Sequence, residues 1–452
     1  MRFVGILLVF LSIPIFISML KAYPQQRNWA YFLFGILPLT MSALNLDAAL
    51  ISWPTWTGYA KGHVISLLDT LAIAMIAVSA RPWQRLPLMF AFLAYIFAVM
   101  LSMLFSELAM STSFYVFQLA RMFILFVAVA SFAGKPSAVR WMALGLAYGA
   151  IFQGVLTVDQ RLSGVVQASG SVGHQNLLGM MLHFVTLPLL ALLLGGDRRK
   201  IIILGVLAAL LAVALGASRG TIGFIGAGIP LLLLLSLFRR ITVHKWKIVA
   251  IVLVAALAIS PIVLKSFAER FAVNPNTAGS NEEREAFERA ASSILSDHPM
   301  GIGANQYVVV ANSAGYNDRA GVVATYASRS AKVHNIYLLI GAETGWLGIV
   351  SFAFLLGLAI FRGLKFSFQY RKDPRGEIVL GMTVAIMVAA AHSFLEWVFI
   401  TYSAQYLFAI ALGIIAGMIR QVEREKSMQL RMKRRMIATG SGPSGKPKPQ
   451  FG

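Results

Sequence analysis

The 452-residue sequence contains no cysteine. That excludes a disulfide framework, a thiolate zinc site and a cysteine nucleophile. Charge is also scarce: 13% of residues are Asp, Glu, Lys or Arg, against about 25% in an ordinary soluble domain. Acids are the scarcer sign, 18 against 39 Lys and Arg, which leaves a net charge of +21. No basic-aromatic recognition module accompanies that positive charge, so nucleic acid is not the partner it points to. The alternating pattern of a membrane barrel is missing as well.

What the chain has instead is apolar residues, 58% of the total. A soluble protein of this composition would expose large sticky patches. In a bilayer that surface is covered, and each crossing must satisfy its own backbone, which helices do. The apolar runs have the roughly 17–25 residues that a crossing helix needs. Thirteen spans are predicted, near 3–20, 29–45, 63–80, 86–106, 113–133, 141–158, 176–195, 201–217, 220–238, 248–265, 335–361, 378–400 and 403–420. The first lacks a small-residue cleavage site and is followed directly by Lys21, so it reads as a retained helix and not a signal peptide. The fold class is therefore an all-α polytopic membrane protein of 12–13 transmembrane helices. No internal repeat is visible.

Loop charges set the orientation. Lys21, Arg27, Arg81, Arg85, Lys135, Arg140, Arg198 to Lys200, Arg239, Arg240, Lys245, Lys247, Arg362, Lys365, Arg371, Lys372, Arg375 and the tail from Arg420 share one side. Positive-inside places that side in the cytoplasm; the N-terminus then lies outside with thirteen spans and in the cytoplasm with twelve, and Arg2 carries too little charge to decide. Four segments result: 1–265 with about ten spans, a periplasmic loop 266–333, spans again over 334–420, and a basic tail 421–452. The loop is long enough to expect function from it. Within it, 282–296 has helical composition, with Phe287, Ala290, Ala291 and Ile294 on one stripe. The end of the tail, 437–452, is rich in Gly, Pro and Ser and is expected to be disordered. The cluster Arg431 to Arg435 before it suits an anionic leaflet.

Four outward patches carry chemistry: Gly173-His174-Gln175-Asn176, Ser218-Arg219-Gly220, Arg284 with His298-Pro299-Met300-Gly301-Ile302-Gly303, and Val333-His334-Asn335 leading to Glu343-Thr344-Gly345. Each has a plain alternative. Arg219 could snorkel to the interface, Arg284 could pair with Glu288 along its helix, and the histidines could mark helix boundaries. Glu343 lies inside a span, where a charge is costly and usually has a purpose. His392 and Glu396, four apart in the twelfth span, could simply satisfy each other. Taken together, two arginines and a histidine at one membrane face fit an anionic substrate. Arginine forks suit phosphate, and a histidine takes a proton from an attacking hydroxyl.

The order of these motifs resembles the O-antigen ligase and polysaccharide polymerase family. The resemblance rests on His174 to Gly179, Ser218-Arg219-Gly220, Arg284 fourteen residues before His298, Gly301-Ile302-Gly303, and Val333 to Tyr337 leading into Ala342 to Gly348. It covers about 170–350. It implies an inverting GT-C glycosyltransferase of the bacterial inner membrane, working on the periplasmic side without metal, nucleotide sugar or other cofactor. The implied donor is a glycan on undecaprenyl diphosphate, and the acceptor is lipid A–core or a growing polysaccharide, in one case with a chain-length regulator as partner. By this analogy His334 is the base and Arg219 and Arg284 hold the diphosphate, with His174, Asn176, Asn335 and Glu343 lining the site. The thirteenth span departs from the twelve of the ligases. A transporter or flippase would instead show paired repeats with broken helices. Asp69, Arg121 and His183 do lie within spans, without such pairing.

Overall fold

The structure, a computed structural model, describes residues 2–79, 86–273 and 277–438. The expectations for Arg81 and Arg85, and for the tail beyond 438, lie outside these residues. Ten helices come first: α1 (Arg2–Ala22), α2 (Arg27–Leu44), α3 (Leu67–Ala77), α4 (Met89–Ser102), α5 (Ala109–Phe132), α6 (Pro136–Leu162), α7 (Gln175–Leu194), α8 (Lys200–Leu215), α9 (Arg219–Arg239) and α10 (Val243–Val273). The long loop holds α11 (Thr277–Asp297), α12 (Tyr307–Ser313), α13 (Tyr316–Ala320) and α14 (Tyr326–Ser330). The bundle closes with α15 (Ile336–Gln369), α16 (Arg375–His392) and α17 (Tyr402–Ala438). Among the described residues, nine helices are long and apolar enough to cross a membrane. Shorter apolar helices stand at α3, α4 and α8. Counted with α2 and these shorter helices, thirteen described α-helices stand outside the long loop, one for each apolar run read in the sequence, and nine of them have the length and hydropathy of a crossing helix. Gly5 of α1 lies beside Ala48 at the loop end of the bundle, which agrees with an odd number of passes.

Small residues let these helices approach. The α2–α6 pair meets at Gly35 and Gly145, where an added β-carbon would fall 2.2 Å from the Met142 carbonyl oxygen and 2.1 Å from that of Phe32. In lipid, such close backbone packing replaces the hydrophobic drive that water would supply. α7 and α17 are the most buried passes, whereas none of the most apolar stretch of α10 is buried. Several charged groups buried inside the bundle form ion pairs. Arg121 of α5 bonds Asp69 of α3 at 2.7 Å. At the basic end, Glu377 of α16 takes both Arg239 (2.6 Å) and Lys245 (2.5 Å).

Three departures from the sequence reading bear on the site. A hairpin, β1 (Asp47–Ser52) with β2 (Gly62–Ser66), occupies the start of the span predicted at 63–80. Its apolar Val64 and Ile65 had extended the hydropathy run. The tenth pass continues through Val273, eight residues beyond its predicted end. The twelfth ends at His392, so Glu396 stands in the connection that follows and not in a helix.

The loop folds onto the bundle. The predicted stripe Phe287, Ala290, Ala291 and Ile294 is the buried face of α11. Asn305, fully buried, donates to the carbonyls of Ala60 (2.7 Å) and Ser111 (2.9 Å) and accepts from the Ala60 amide (3.0 Å). Backbone also docks on backbone: the amides of Ile302 and Gly303 donate to the carbonyls of Ala342 and Glu343, and that of Trp346 to the carbonyl of Pro299. This stitching explains two motif glycines. Gly301 and Gly345 have φ of 83° and 65°, and a β-carbon on either would collide with the opposite backbone, at 2.4 Å and 2.2 Å. Gly345 also kinks α15, giving a short first segment that starts at His334-Asn335.

Candidate functional site

The helix ends facing the loop bring the predicted residues toward one carboxylate, that of Glu396. Asn176 in the first turn of α7 donates to Oε1 at 2.5 Å. His334 Nδ1, just before α15, lies 3.4 Å from Oε2. Arg284 Nη2 of α11 lies 3.6 Å from Oε1 and makes this ion pair in place of one with Glu288. The backbone closes the ring, because the Ile336 amide donates to the Ser393 carbonyl at 2.9 Å. The Glu396 side chain is only 5% exposed, whereas those of His334 and Arg284 are 24% and 33% exposed. A buried carboxylate thus supports two groups that still face outward. Burial pushes the Glu396 carboxyl up, but the bond to His334 and the charges of His334 and Arg284 outweigh it and hold it below the usual carboxylate range.

A carboxylate only accepts, so the His334 proton sits on Nδ1 and the lone pair on Nε2. His174 is arranged differently. Its Nδ1 accepts the Asn176 amide at 3.2 Å as the cap of α7. Burial pushes its pKa down, as does His334, against the pull of Glu396.

Arg219 is the first residue of α9, exposed, behind the Ser218 cap. The turn before it carries Ala217 at φ 48°, an uncommon conformation for a residue with a β-carbon. Arg270, near the end of α10, steadies that turn by donating to the Ala217 carbonyl at 2.5 Å. It lies within electrostatic reach of both Arg219 and Arg284, and of Glu396. Arg270 thus links the two predicted arginines electrostatically, and Arg284 shares Glu396 with His334. α7 to α10 enclose a cavity of about 470 Å³. Its upper rim is Ala214, Ile222, Val263 and Leu264, and among its lining residues Ser260 alone has a polar side chain.

Two predicted residues are spent elsewhere. Asn335 caps α15, its Oδ1 accepting the amides of Tyr337 (3.1 Å) and Leu338 (3.3 Å). Glu343, 2% exposed, accepts from Tyr59 Oη at 2.6 Å and the Tyr307 amide at 3.0 Å, with the amides of Asn305 and Gln306 also turned toward it. It caps α12 and pins the hairpin and the loop to α15. Glu343→Leu would leave these donors unsatisfied, at about 1–3 kcal/mol for each buried group. We expect thermal unfolding of the detergent-solubilised variant to shift several degrees downward, with Glu343→Gln intermediate. An unchanged transition in the Leu variant would remove this anchoring role.

Sequence reasoning missed Glu396 as a hub and Arg270 altogether. For Glu396 the signal was present, an acid within an apolar run. For Arg270 only its place in the outward loop, fourteen residues before Arg284, could have drawn notice.

Residues 204–353 match the O-antigen ligase family. This segment holds Arg219, Arg270, Arg284 and His334, while His174, Asn176 and Glu396 are contributed from outside it. No curated protein matches the chain. The chain is thus a multi-pass membrane protein carrying an O-antigen ligase family segment. Its function is of the ligase or polymerase type in surface polysaccharide biosynthesis, that of a glycosyltransferase-like enzyme acting on polysaccharide or lipid-linked glycan.

Proposed function

From that family membership over 204–353, we propose that the chain transfers a glycan from undecaprenyl diphosphate to a sugar hydroxyl, as an O-antigen ligase does, at the periplasmic face of the inner membrane. The observation that carries this reading is that His334 and Arg284 share the Glu396 carboxylate, with Arg270 coupled electrostatically to Arg284 and Arg219, and that α7 to α10 line an apolar cavity. The cavity suits a polyprenyl tail and the arginines its diphosphate. Sidedness follows from charge: Arg199, Arg239, Lys245, Arg375 and Arg420 lie at the opposite end of the bundle.

The chemistry then runs as one displacement. His334 Nε2 takes the proton of the acceptor hydroxyl as its oxygen bonds to the anomeric carbon. The bond from that carbon to the diphosphate oxygen breaks on the far side, and undecaprenyl diphosphate leaves with the electron pair. The anomeric centre inverts and no glycosyl-enzyme forms. Glu396 stabilises the imidazolium that results, and the arginines stabilise the departing charge. His174 and Asn176 line the site beside Glu396. The acceptor is lipid A–core in the ligase reading and the end of a growing chain in the polymerase reading.

Reconstitution in nanodiscs tests this. With an undecaprenyl-diphosphate-linked glycan, a single transfer onto lipid A–core is expected, matched by release of undecaprenyl diphosphate. A ladder of lengthened lipid-linked glycan would move the chain to the polymerase side. No transfer and no release with either acceptor would end the reading.

A further inference from the structure

Behind the cluster, three helices meet at two histidines that this displacement does not use. His183 of α7 and His392 at the end of α16 are both fully buried. His183 Nε2 lies 3.1 Å from His392 Nδ1. The His392 ring rests on Phe224 of α9 at 4.8 Å between centroids. Its Nε2 is 2.9 Å from where a β-carbon on Gly220 would sit, one residue past Arg219. On the other flank, Thr221 packs into the space above Gly179 of α7, 2.2 Å from a β-carbon there. The first turn of α9 is therefore seated between α7 and α16.

This seating has a cost. Among the described residues His183 Nδ1, His392 Nε2 and Thr221 Oγ1 have no hydrogen-bond partner. A buried orphan polar group is destabilising, and apolar rings would fill the space without that penalty. What the histidine pair adds is a directional bond between α7 and α16. α7 presents Asn176, the connection directly after α16 carries Glu396, and α9, seated on the same ring, presents Arg219. Glu396 lies four residues after His392 and, with Arg284, is within its electrostatic reach.

We propose that His392, held by His183, is a positioning residue: it seats the Gly220 turn and so sets where Arg219 stands relative to Glu396. This rests on the reading of Arg219 as a diphosphate ligand. Gly220→Ala drives a methyl into the His392 ring and should displace Arg219. A misplacement of this order costs about 10–100-fold, expected in the donor KM and in inhibition by inorganic diphosphate, with the acceptor KM unchanged. His392→Ala removes the obstacle, so the Gly220→Ala/His392→Ala double variant should recover most of the diphosphate inhibition lost in Gly220→Ala alone. His392→Asn, which keeps a polar partner for His183, should retain more of it than His392→Phe.

The test uses the full chain in nanodiscs, taking variants whose thermal transition matches the parent, and Arg219→Ala in parallel. A double variant no better than Gly220→Ala overturns the positioning role. If Gly220→Ala does not fold, equal inhibition in His392→Asn and His392→Phe overturns it. If Arg219→Ala itself leaves diphosphate inhibition intact, the diphosphate assignment fails instead, which separates the two ideas.

Discussion

His334→Gln is expected to lose turnover about 10²–10⁴-fold, the usual contribution of a general base, while binding the donor as the parent does. Glutamine has similar bulk and keeps a donor toward Glu396, yet its amide cannot take a proton at neutral pH. The geometry makes the contrast sharp. His334 Nδ1 faces Glu396 Oε2 at 3.4 Å, so Nε2 is turned away with its lone pair free. Its other possible task, capping α15, is performed by Asn335, so loss of the imidazole should leave the helix start intact. Single-turnover rates with a synthetic lipid-linked donor, beside donor binding measured separately, check this. Near-parent rates in His334→Gln would reduce His334 to a structural residue. Glu343 would not inherit the role, since both its oxygens are engaged by Tyr59 and the Tyr307 amide, and neither would Glu396, whose oxygens are taken by Asn176, Arg284 and the residue at 334; a second base would have to be sought at His174.

Hydropathy made the passes legible because a bilayer leaves helices as the simplest way to satisfy each backbone. It failed at residues 62–66, where a strand of the hairpin is as apolar as a span. It failed again after His392, where Phe394 to Ile400 continue the apolar run although the helix has ended. That second miss hid the hub. Read as helix, His392 and Glu396 share a face and satisfy each other; with the helix ended, His392 turns to His183 and Glu396 to His334 and Arg284. The roles of motif residues were only half legible for a related reason. Gly301, Gly345 and Glu343 sit in segments as distinctive as that of His334, but they serve the docking of loop on helix. A motif records that a residue is constrained. Only the pairing of segments far apart in sequence tells whether packing or chemistry constrains it.

Arg219→Ala and Arg284→Ala are each expected to bring transfer close to background. A guanidinium gives a phosphate two parallel charge-assisted bonds, each worth about 1.5–3 kcal/mol. Losing a fork therefore removes roughly 3–6 kcal/mol, or about 10²–10⁴-fold in kcat/KM. Lysine keeps the charge but not the fork, so Arg→Lys should recover only part of this. The two positions should differ in kind. Arg219 has its guanidinium exposed at the start of α9, so its loss should appear mainly as weaker binding of donor and of inorganic diphosphate. Arg284 also neutralises Glu396, and its removal leaves a 5% exposed carboxylate held by hydrogen bonds from His334 and Asn176 without a guanidinium beside it. Arg284→Ala should therefore also lower the rate at saturating donor, whereas Arg219→Ala should be largely rescued by raising donor concentration. Full activity in both alanine variants, at parent levels in the membrane, would show that the diphosphate is held elsewhere. Arg270 would then be the next guanidinium to test, being within reach of both and already fixed by the Ala217 carbonyl.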